Sequence, residues 1–321
     1  MRIDILAVDG LFDTGLSTLL DCFALAAGIA ARDDGEGPRF AVRRVGVRPA
    51  VRTGHGLPVP LDAVVDPGSP APAVVIVPAL GCVTPAAVEA ALARDEVAAA
   101  GAVLRAWGAA GALVAGACTG TFVLAAAGVL DDRPATTTWW LEPDFRRRFP
   151  RVELDTARMV VPGPGCVTAG AALAHVDLAL WLIRQHSPQL AERTARYLLI
   201  DARPSQATFA MADHIAHTDE IVRRFEGFAR DRLRDFSMVD AAAALGTTPR
   251  TLQRRLHRAL GRTPIAYVQD LRVEAALHLL QTTEQTLFEV AEAVGYADPV
   301  TLRTLLRRKT GRGIRAIRQG R

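Results

Sequence analysis

Lysine is all but missing from this chain: of 38 basic side chains only Lys309 is a lysine, and the rest are arginines. Any basic surface is therefore an arginine surface, and its placement says more than its abundance, because an alanine- and arginine-rich composition also follows from a GC-rich genome. Cysteine is scarce as well. Cys22, Cys82, Cys118 and Cys166 are widely scattered with no CxxC pair. That excludes a disulfide framework and the usual metal spacings, fits a reducing cytosol, and predicts neither metal nor cofactor. The opening MRIDILAVDG has no basic region followed by an apolar stretch, so it is not read as a signal peptide. Long apolar runs are limited to one. Residues 106–130 carry no charge and are long enough to span a bilayer. Their Gly/Ala richness, with Thr119 and Thr121 in the middle, divides them instead into a buried strand, a turn at Cys118 and a helix; no membrane partner is expected.

What charge there is lies unevenly. From position 219 onward there are 19 basic and 12 acidic residues, a net of +7, whereas the remainder nets −3. A basic C-terminal third on a slightly acidic body is the footprint of a nucleic-acid-binding module. That third contains a repeat. VDAAAALGTTPRTLQRRLHRAL starts at Val239 and LFEVAEAVGYADPVTLRTLLRRKTG at Leu287, and their glycines, Gly246 and Gly295, stand 49 residues apart. In each, a short apolar helix ends at a glycine able to take positive φ, a three-residue turn follows, and a second helix begins. Ala242, Leu245, Leu252 and Leu256 recur at helical spacing and form the first core; Ala291, Val294, Leu302 and Leu306 form the second.

Thr248 is placed to cap the first repeat's second helix, with Pro249 at its first position. Arg250, Thr251, Gln253, Arg254, His257 and Arg258 then belong to the reading helix, where Arg suits guanine and Gln suits adenine in the major groove. In the second repeat Val300, Thr301, Arg303, Thr304, Arg307 and Arg308 hold the equivalent face, and Lys309 joins the phosphate contacts. Between the repeats, PIAYVQDLRVEAALHLLQ predicts a helix that fixes the separation of the two reading helices. The partner implied is double-stranded DNA.

The blocks GTTPRTLQRRL, GRTPIAYVQDLR and VAEAVGY resemble the DNA-binding domain of the AraC/XylS family of bacterial transcription regulators over residues 219–321. The family has an arginine where Thr304 stands, phenylalanines at Leu256 and Leu306, and a proline and a tyrosine at Ile314 and Ile317. Loss of that arginine makes the second repeat an anchor more than a reader. The resemblance implies a dimer, with RNA polymerase among the candidate partners.

Upstream, strand-like runs at residues 3–8, 39–47, 73–78 and 112–117 alternate with helix-like stretches at 16–32, 85–93, 97–107 and 120–127. This predicts an α/β fold, a flavodoxin-like parallel sheet sandwiched by helices, ahead of the all-α C-terminal domain. Residues 1–203 make the α/β domain and 204–218 a linker. Cys118, in AGACTGTF, sits where a strand meets a helix, a nucleophile-elbow-like position. The helix start is expected to lower its pKa and favour thiolate. Backbone N–H groups of Thr119 and Gly120 suit a carboxylate, and Trp139 and Trp140 suit an ammonium group.

The start IDILAVDGLFDTGLSTLLDCF, the elbow GACTGTFVLAAAGVLDDRPATTTWW, CVTAGAALAHVDLALWLI and the tail YLLIDARPSQATF resemble the class I glutamine-amidotransferase-like superfamily, in its PfpI-protease-like branch. Active members of that superfamily carry a histidine where Thr138 stands, and a glutamate where Asp21 stands. Threonine is no base near neutral pH, and His175, in a helix-like run, reads as a packed or capping residue. The expectation is therefore a protein that is not an enzyme: a cytoplasmic regulator whose α/β domain senses an amine or amino-acid-like effector. Asp13, Asp21, Cys118, Thr119, Gly120 and Trp139 are the candidate site. Three alternatives stand beside it: a cysteine-dependent hydrolase, hydratase or amidotransferase-like enzyme using Cys118, a regulator whose α/β domain only dimerises or meets a protein partner, and a Cys118 and Trp139 that are merely buried core.

Overall fold

Strand residues in the first two hundred positions send alternate side chains to two different cores, as an open sheet covered on both faces requires. Ile3 and Ile5 pack with Val74 and Ile76 in one core, while Leu6, Val75 and Val77 pack in the other. The computed structural model describes residues 1–32, 40–201, 205–206, 220–260 and 263–318. The chain forms two compact units, Met1–Gln206 and Ala207–Arg321. Arg39, at the start of one expected strand, and Asp219 lie outside the described residues, as does the expected linker apart from Ser205 and Gln206.

The first unit opens with β1 (Arg2–Leu6), α1 (Asp13–Arg32) and β2 (Ala41–Gly46). A ribbon of β3 (Ala50–Arg52) and β4 (Pro58–Pro60) precedes β5 (Ala63–Val64) and β6 (Val74–Val77). Then come α2 (Pro85–Leu92), α3 (Asp95–Ala109), β7 (Leu113–Ala117) and α4 (Gly120–Ala126). A short parallel pair, β8 (Pro134–Ala135) and β9 (Glu153–Leu154), brackets α5 (Glu142–Arg148). The unit ends with β10 (Val160–Gly163), β11 (Cys166–Ala169), α6 (Ala174–His186) and α7 (Pro188–Tyr197).

The main sheet runs β10-β11-β7-β6-β1-β2-β5, parallel throughout except for the antiparallel β10 at its edge. That exception was not in the sequence pattern; an edge place suits a strand carrying Pro162, which has no N–H to give a second neighbour. The order reverses between β1 and β6, so the loops following them diverge and open a crevice at the strands' carboxyl ends. α1 is the one described helix long and apolar enough to cross a membrane. Here its apolar face is buried in the core shared with α6 and α7. The uncharged run at 106–130 resolves into the end of α3, then β7, the turn at Cys118, and α4.

The second unit is helical: α8 (Glu220–Asp231), α9 (Met238–Ala244), α10 (Pro249–Leu260), α11 (Pro264–Thr282), α12 (Leu287–Ala293), α13 (Pro299–Thr310) and α14 (Ile314–Arg318). It has two small cores, one per repeat. α11 serves both: Tyr267, Val268 and Leu271 close the first, and Val273, Ala276 and Leu280 close the second.

Candidate nucleic-acid interface and the cysteine elbow

Each helix-turn-helix forms for reasons written in its own residues. Gly246 takes φ 67° and Gly295 φ 85°, the left-handed conformation that ends α9 and α12. Thr248 Oγ accepts the Thr251 N–H at 3.3 Å, capping α10, and Asp298 accepts those of Val300 and Thr301 at 2.9 and 3.2 Å, capping α13. Leu252, Leu256, Leu302 and Leu306 are all fully buried. That leaves Arg250, Gln253, Arg254 and His257 exposed on α10, with Thr251 partly so. On α13, Val300, Thr301, Arg303, Thr304, Arg307 and Arg308 are exposed. The Arg258 side chain lies outside the described residues. Lys309 departs from its expected role: it is half-buried and paired with Asp270 at 2.8 Å, so it ties α13 to α11. Arg255 was overlooked by sequence reasoning, and it too is exposed on α10.

A further tie makes the two repeats one body. The Arg272 guanidinium donates to the Leu233 carbonyl at 2.8 and 3.0 Å and lies over the Tyr296 ring. Gly295 is boxed in by the same groups: a Cβ there would stand 2.5 Å from the Arg234 carbonyl oxygen. The segment after α8 therefore locks directly onto the turn of the second repeat.

In the α/β unit, Cys118 has φ 52°, the strained turn of an elbow. Its N–H donates to the Ala169 carbonyl at 2.8 Å and its carbonyl accepts the Thr137 hydroxyl at 2.7 Å. The expected thiolate is not found. Burial pushes the thiol up to about 11, and the Thr119 N–H with the Thr138 and Thr119 hydroxyls offsets only part of that. A seven-residue α4 in a buried setting is too weak a dipole to compensate. The Thr119 hydroxyl both accepts from the Leu80 N–H and donates to the Leu80 carbonyl, each at 2.8 Å, clamping the loop after β6 over the elbow.

His175 is fully buried, and its ring is spoken for at both ends. Nδ1–H donates to the Ala172 carbonyl at 2.7 Å, and Nε2 accepts the Ala79 N–H at 3.0 Å. Burial drives its pKa down to about 4. Gly15 lets the ring lie against α1, since a Cβ there would be 2.6 Å from Nε2.

The other candidates scatter. Asp13 accepts a hydrogen bond from His55 Nδ1 at 2.9 Å, and Thr53 and His55 hold its carboxyl below the usual range. Asp21, expected near the elbow, is exposed on α1, where its charge acts on Cys22. Trp139 is buried and packs edge-to-face on Trp140. Gly120 sits so close to β6 that a Cβ would fall 2.4 Å from the Val77 carbonyl oxygen. An open cavity of about 290 Å³ lies at the crevice between the loops after β1 and β6, lined by Gly10, Gly54, Gly81, Cys82 and Arg94 among others. Cys118, Thr119, Gly120 and Trp139 are not in its lining. Sequence reasoning also missed the wholly buried Thr136, Thr137, Thr168 and Gln206, which pack around the elbow through non-local contacts.

A helix-turn-helix domain family model matches residues 241–320. The chain is 30% identical to the HTH-type transcriptional regulator CdhR of Pseudomonas aeruginosa over 194 residues, 59% of this chain and 57% of that protein. It is 28% identical to the HTH-type transcriptional regulator GlxA of Rhizobium meliloti over 195 residues, 59% of this chain and 60% of that one. It thus spans little over half the length of the curated relatives it matches. The crystal structure of an AraC family transcriptional regulator from Pseudomonas putida superposes with TM-score 0.51 at 20% identity, covering 61% of this chain and 98% of that one.

Fold and motif together define a class: an α/β unit, a largely parallel sheet covered on both faces, followed by a helical unit that matches a helix-turn-helix domain family. Both curated relatives and the solved structure that superposes are designated transcriptional regulators.

Proposed function

We propose that the protein is a sequence-specific, DNA-binding transcription regulator whose α/β domain senses a small metabolite or mediates dimerisation. The observation that carries this is the exposed edge of Arg250, Gln253, Arg254 and His257 on α10, backed by a buried leucine seam and held by α11 at a fixed distance from α13. Bidentate Arg and Gln at the start of such a helix are the major-groove reading pair. The relatives' designation as transcriptional regulators supports the reading. The regulator acts in the bacterial cytoplasm as a homodimer, with RNA polymerase as a further partner.

Cys118 has no catalytic role in this reading. Its thiol stays protonated, and His175, with both nitrogens engaged, has no lone pair to spare for it. The sensing site lies around the elbow and the adjoining crevice, with Asp13, Cys118, Thr119, Gly120 and Trp139 in or beside it and an amine or amino-acid-like effector. Asp21, being exposed beside Cys22, is left out.

The test is a pair of substitutions assayed on a duplex selected by the wild-type protein from a random pool. Arg254→Ala should cost about 1–3 kcal/mol and relax sequence preference at one position, whereas Arg308→Ala should weaken all sequences alike and lower the salt slope by about one. DNA binding indifferent to both overturns the reading. For the effector, thermal-shift measurements with amines, amino acids and betaines should find a stabiliser of the wild type that Cys118→Trp no longer binds.

A further inference from the structure

Gln206 is the last residue of the α/β unit, just ahead of the stretch that leads to the DNA-binding unit. Its side chain is wholly buried. The amide nitrogen donates to the Thr137 carbonyl at 2.8 Å and to Thr136 Oγ at 3.1 Å. A carbonyl can only accept, so the nitrogen, and not the oxygen, must face Thr137. Thr136 spends its own hydroxyl hydrogen on the Arg158 carbonyl, at 3.2 Å, and so turns a lone pair toward the amide. The carboxamide oxygen of Gln206 is buried without a partner among the described residues.

The socket is built to this shape. Gly170 backs the amide so closely that a Cβ there would lie 2.2 Å from Nε2. The Gln206 N–H donates to the Ala157 carbonyl at 3.1 Å, and the Ser205 hydroxyl to the same carbonyl at 2.7 Å. The socket also adjoins the elbow, since Thr137 binds the Cys118 carbonyl and the neighbouring Ala169 binds the Cys118 N–H. An apolar side chain of the same volume would remove the unpaired carboxamide oxygen but would strip the buried Thr137 carbonyl of this donor. The amide thus holds the socket through its nitrogen alone, a contact that another N–H donor can make in its place.

We propose that this socket is an effector seat occupied by the chain's own carboxamide, and that a small molecule with an N–H donor head, a primary amide or an ammonium group, competes for it and releases the start of the connector. The two acceptors, Thr136 Oγ and the Thr137 carbonyl, welcome such a head and repel a carboxylate. This rests on the sensing role proposed above and names the seat and the group it recognises.

The experiment uses the full chain carrying Gln206→Ala, which lacks the equivalent of one acetamide molecule. Acetamide is the probe and acetate the control. Acetamide should raise the melting temperature of Gln206→Ala, acetate should not, and the wild type should respond far less because its own amide holds the seat. Gln206→Glu keeps the side-chain shape but sets a carboxylate against the Thr137 carbonyl, so it releases the connector without opening a cavity. Both variants should change affinity for the wild-type-selected duplex at least about fivefold, and acetamide should leave Gln206→Ala at its changed value, because the seat is filled while the connector stays untethered. Failure of acetamide to stabilise Gln206→Ala overturns the seat. Wild-type DNA affinity in both variants overturns its coupling to the connector. A wild type that selects no duplex sinks the DNA-binding reading instead, and the acetamide result then decides the seat by itself. Should Gln206→Ala not fold, wild-type DNA affinity in Gln206→Glu still overturns the coupling.

Discussion

A histidine whose Nδ1–H and Nε2 lone pair are both committed has one tautomer, and a second proton on His175 would break its bond to Ala79 and bury a charge. Its folded pKa of about 4 is therefore a stability statement. The unfolded chain takes a proton near the ordinary 6.5 and the folded chain does not until about 4. The stabilisation is fully present above pH 6.5 and is lost as pH falls through that window, about 3 kcal/mol in all by the usual conversion. Melting curves of the α/β unit from pH 7 to 4.5 should show the decline, and His175→Gln should flatten it. A wild-type melting temperature level across that range contradicts the account. Cys118 makes the companion prediction. With its thiol raised to about 11, iodoacetamide at pH 7.5 should label the half-buried Cys82 well before it, as read by peptide mapping. Labelling of Cys118 first would restore the thiolate the sequence had suggested. The elbow itself was legible, because a strand followed at once by a helix is a local pattern. Its protonation state was not, because the burial comes from Thr137, Thr138 and the Leu80 loop, all remote in sequence.

The same division between local and remote holds for whole elements. Both helix-turn-helix repeats were readable to within a residue or two, since the glycine, cap and leucine spacing that make them lie within some twenty positions. Leu256 and Leu306, standing where relatives of the resembled family have phenylalanine, still fill their cores completely. What spacing does not reveal is that the two turn glycines meet different surroundings. At Gly246 an added Cβ would meet open space, so Gly246→Ala should cost about 1 kcal/mol, from its positive φ alone. At Gly295 the same change also drives a methyl group into the carbonyls of Leu233 and Arg234, at 2.7 and 2.5 Å. Gly295→Ala should therefore cost several times more, of order 3 kcal/mol or above, by the scale of overpacking. Denaturant titration of the DNA-binding unit compares the two directly; equal losses would mean that the Arg272 tie between α11, Leu233 and the second repeat is absent in solution. The antiparallel β10 and the buried Gln206 were illegible for the converse reason. Each is defined by partners far along the chain, and Gln206 lies in a stretch with no periodicity to announce it.

At the scale of the molecule, α11 sets what the DNA-binding unit can read. Nineteen residues of helix span about 28 Å, and successive major grooves on one face of DNA lie roughly 34 Å apart. With one repeat packed on each half of α11, and α10 and α13 held on those two cores, the proposed reading expects the pair to enter two adjacent grooves. The halves differ in chemistry: α10 exposes Arg250, Gln253 and Arg254, which the proposed reading assigns to base edges, whereas α13 has Thr304 and the apolar Val300, 57% exposed, among arginines. A valine at that place suits a thymine methyl group and the arginines suit phosphate, so the proposed reading has α13 anchor more than it discriminates. Hydroxyl-radical footprinting should then show two protected patches one helical turn apart for each protein unit. Arg250→Ala with Arg254→Ala should erase sequence preference and blur both patches, because register is lost. Arg307→Ala with Arg308→Ala should fade only the second patch, keep the preferred sequence, and lower the salt slope by about two. A single protected patch in the wild type would mean that only one repeat enters a groove and that the second exists to brace the first through Arg272, Lys309 and the shared helix.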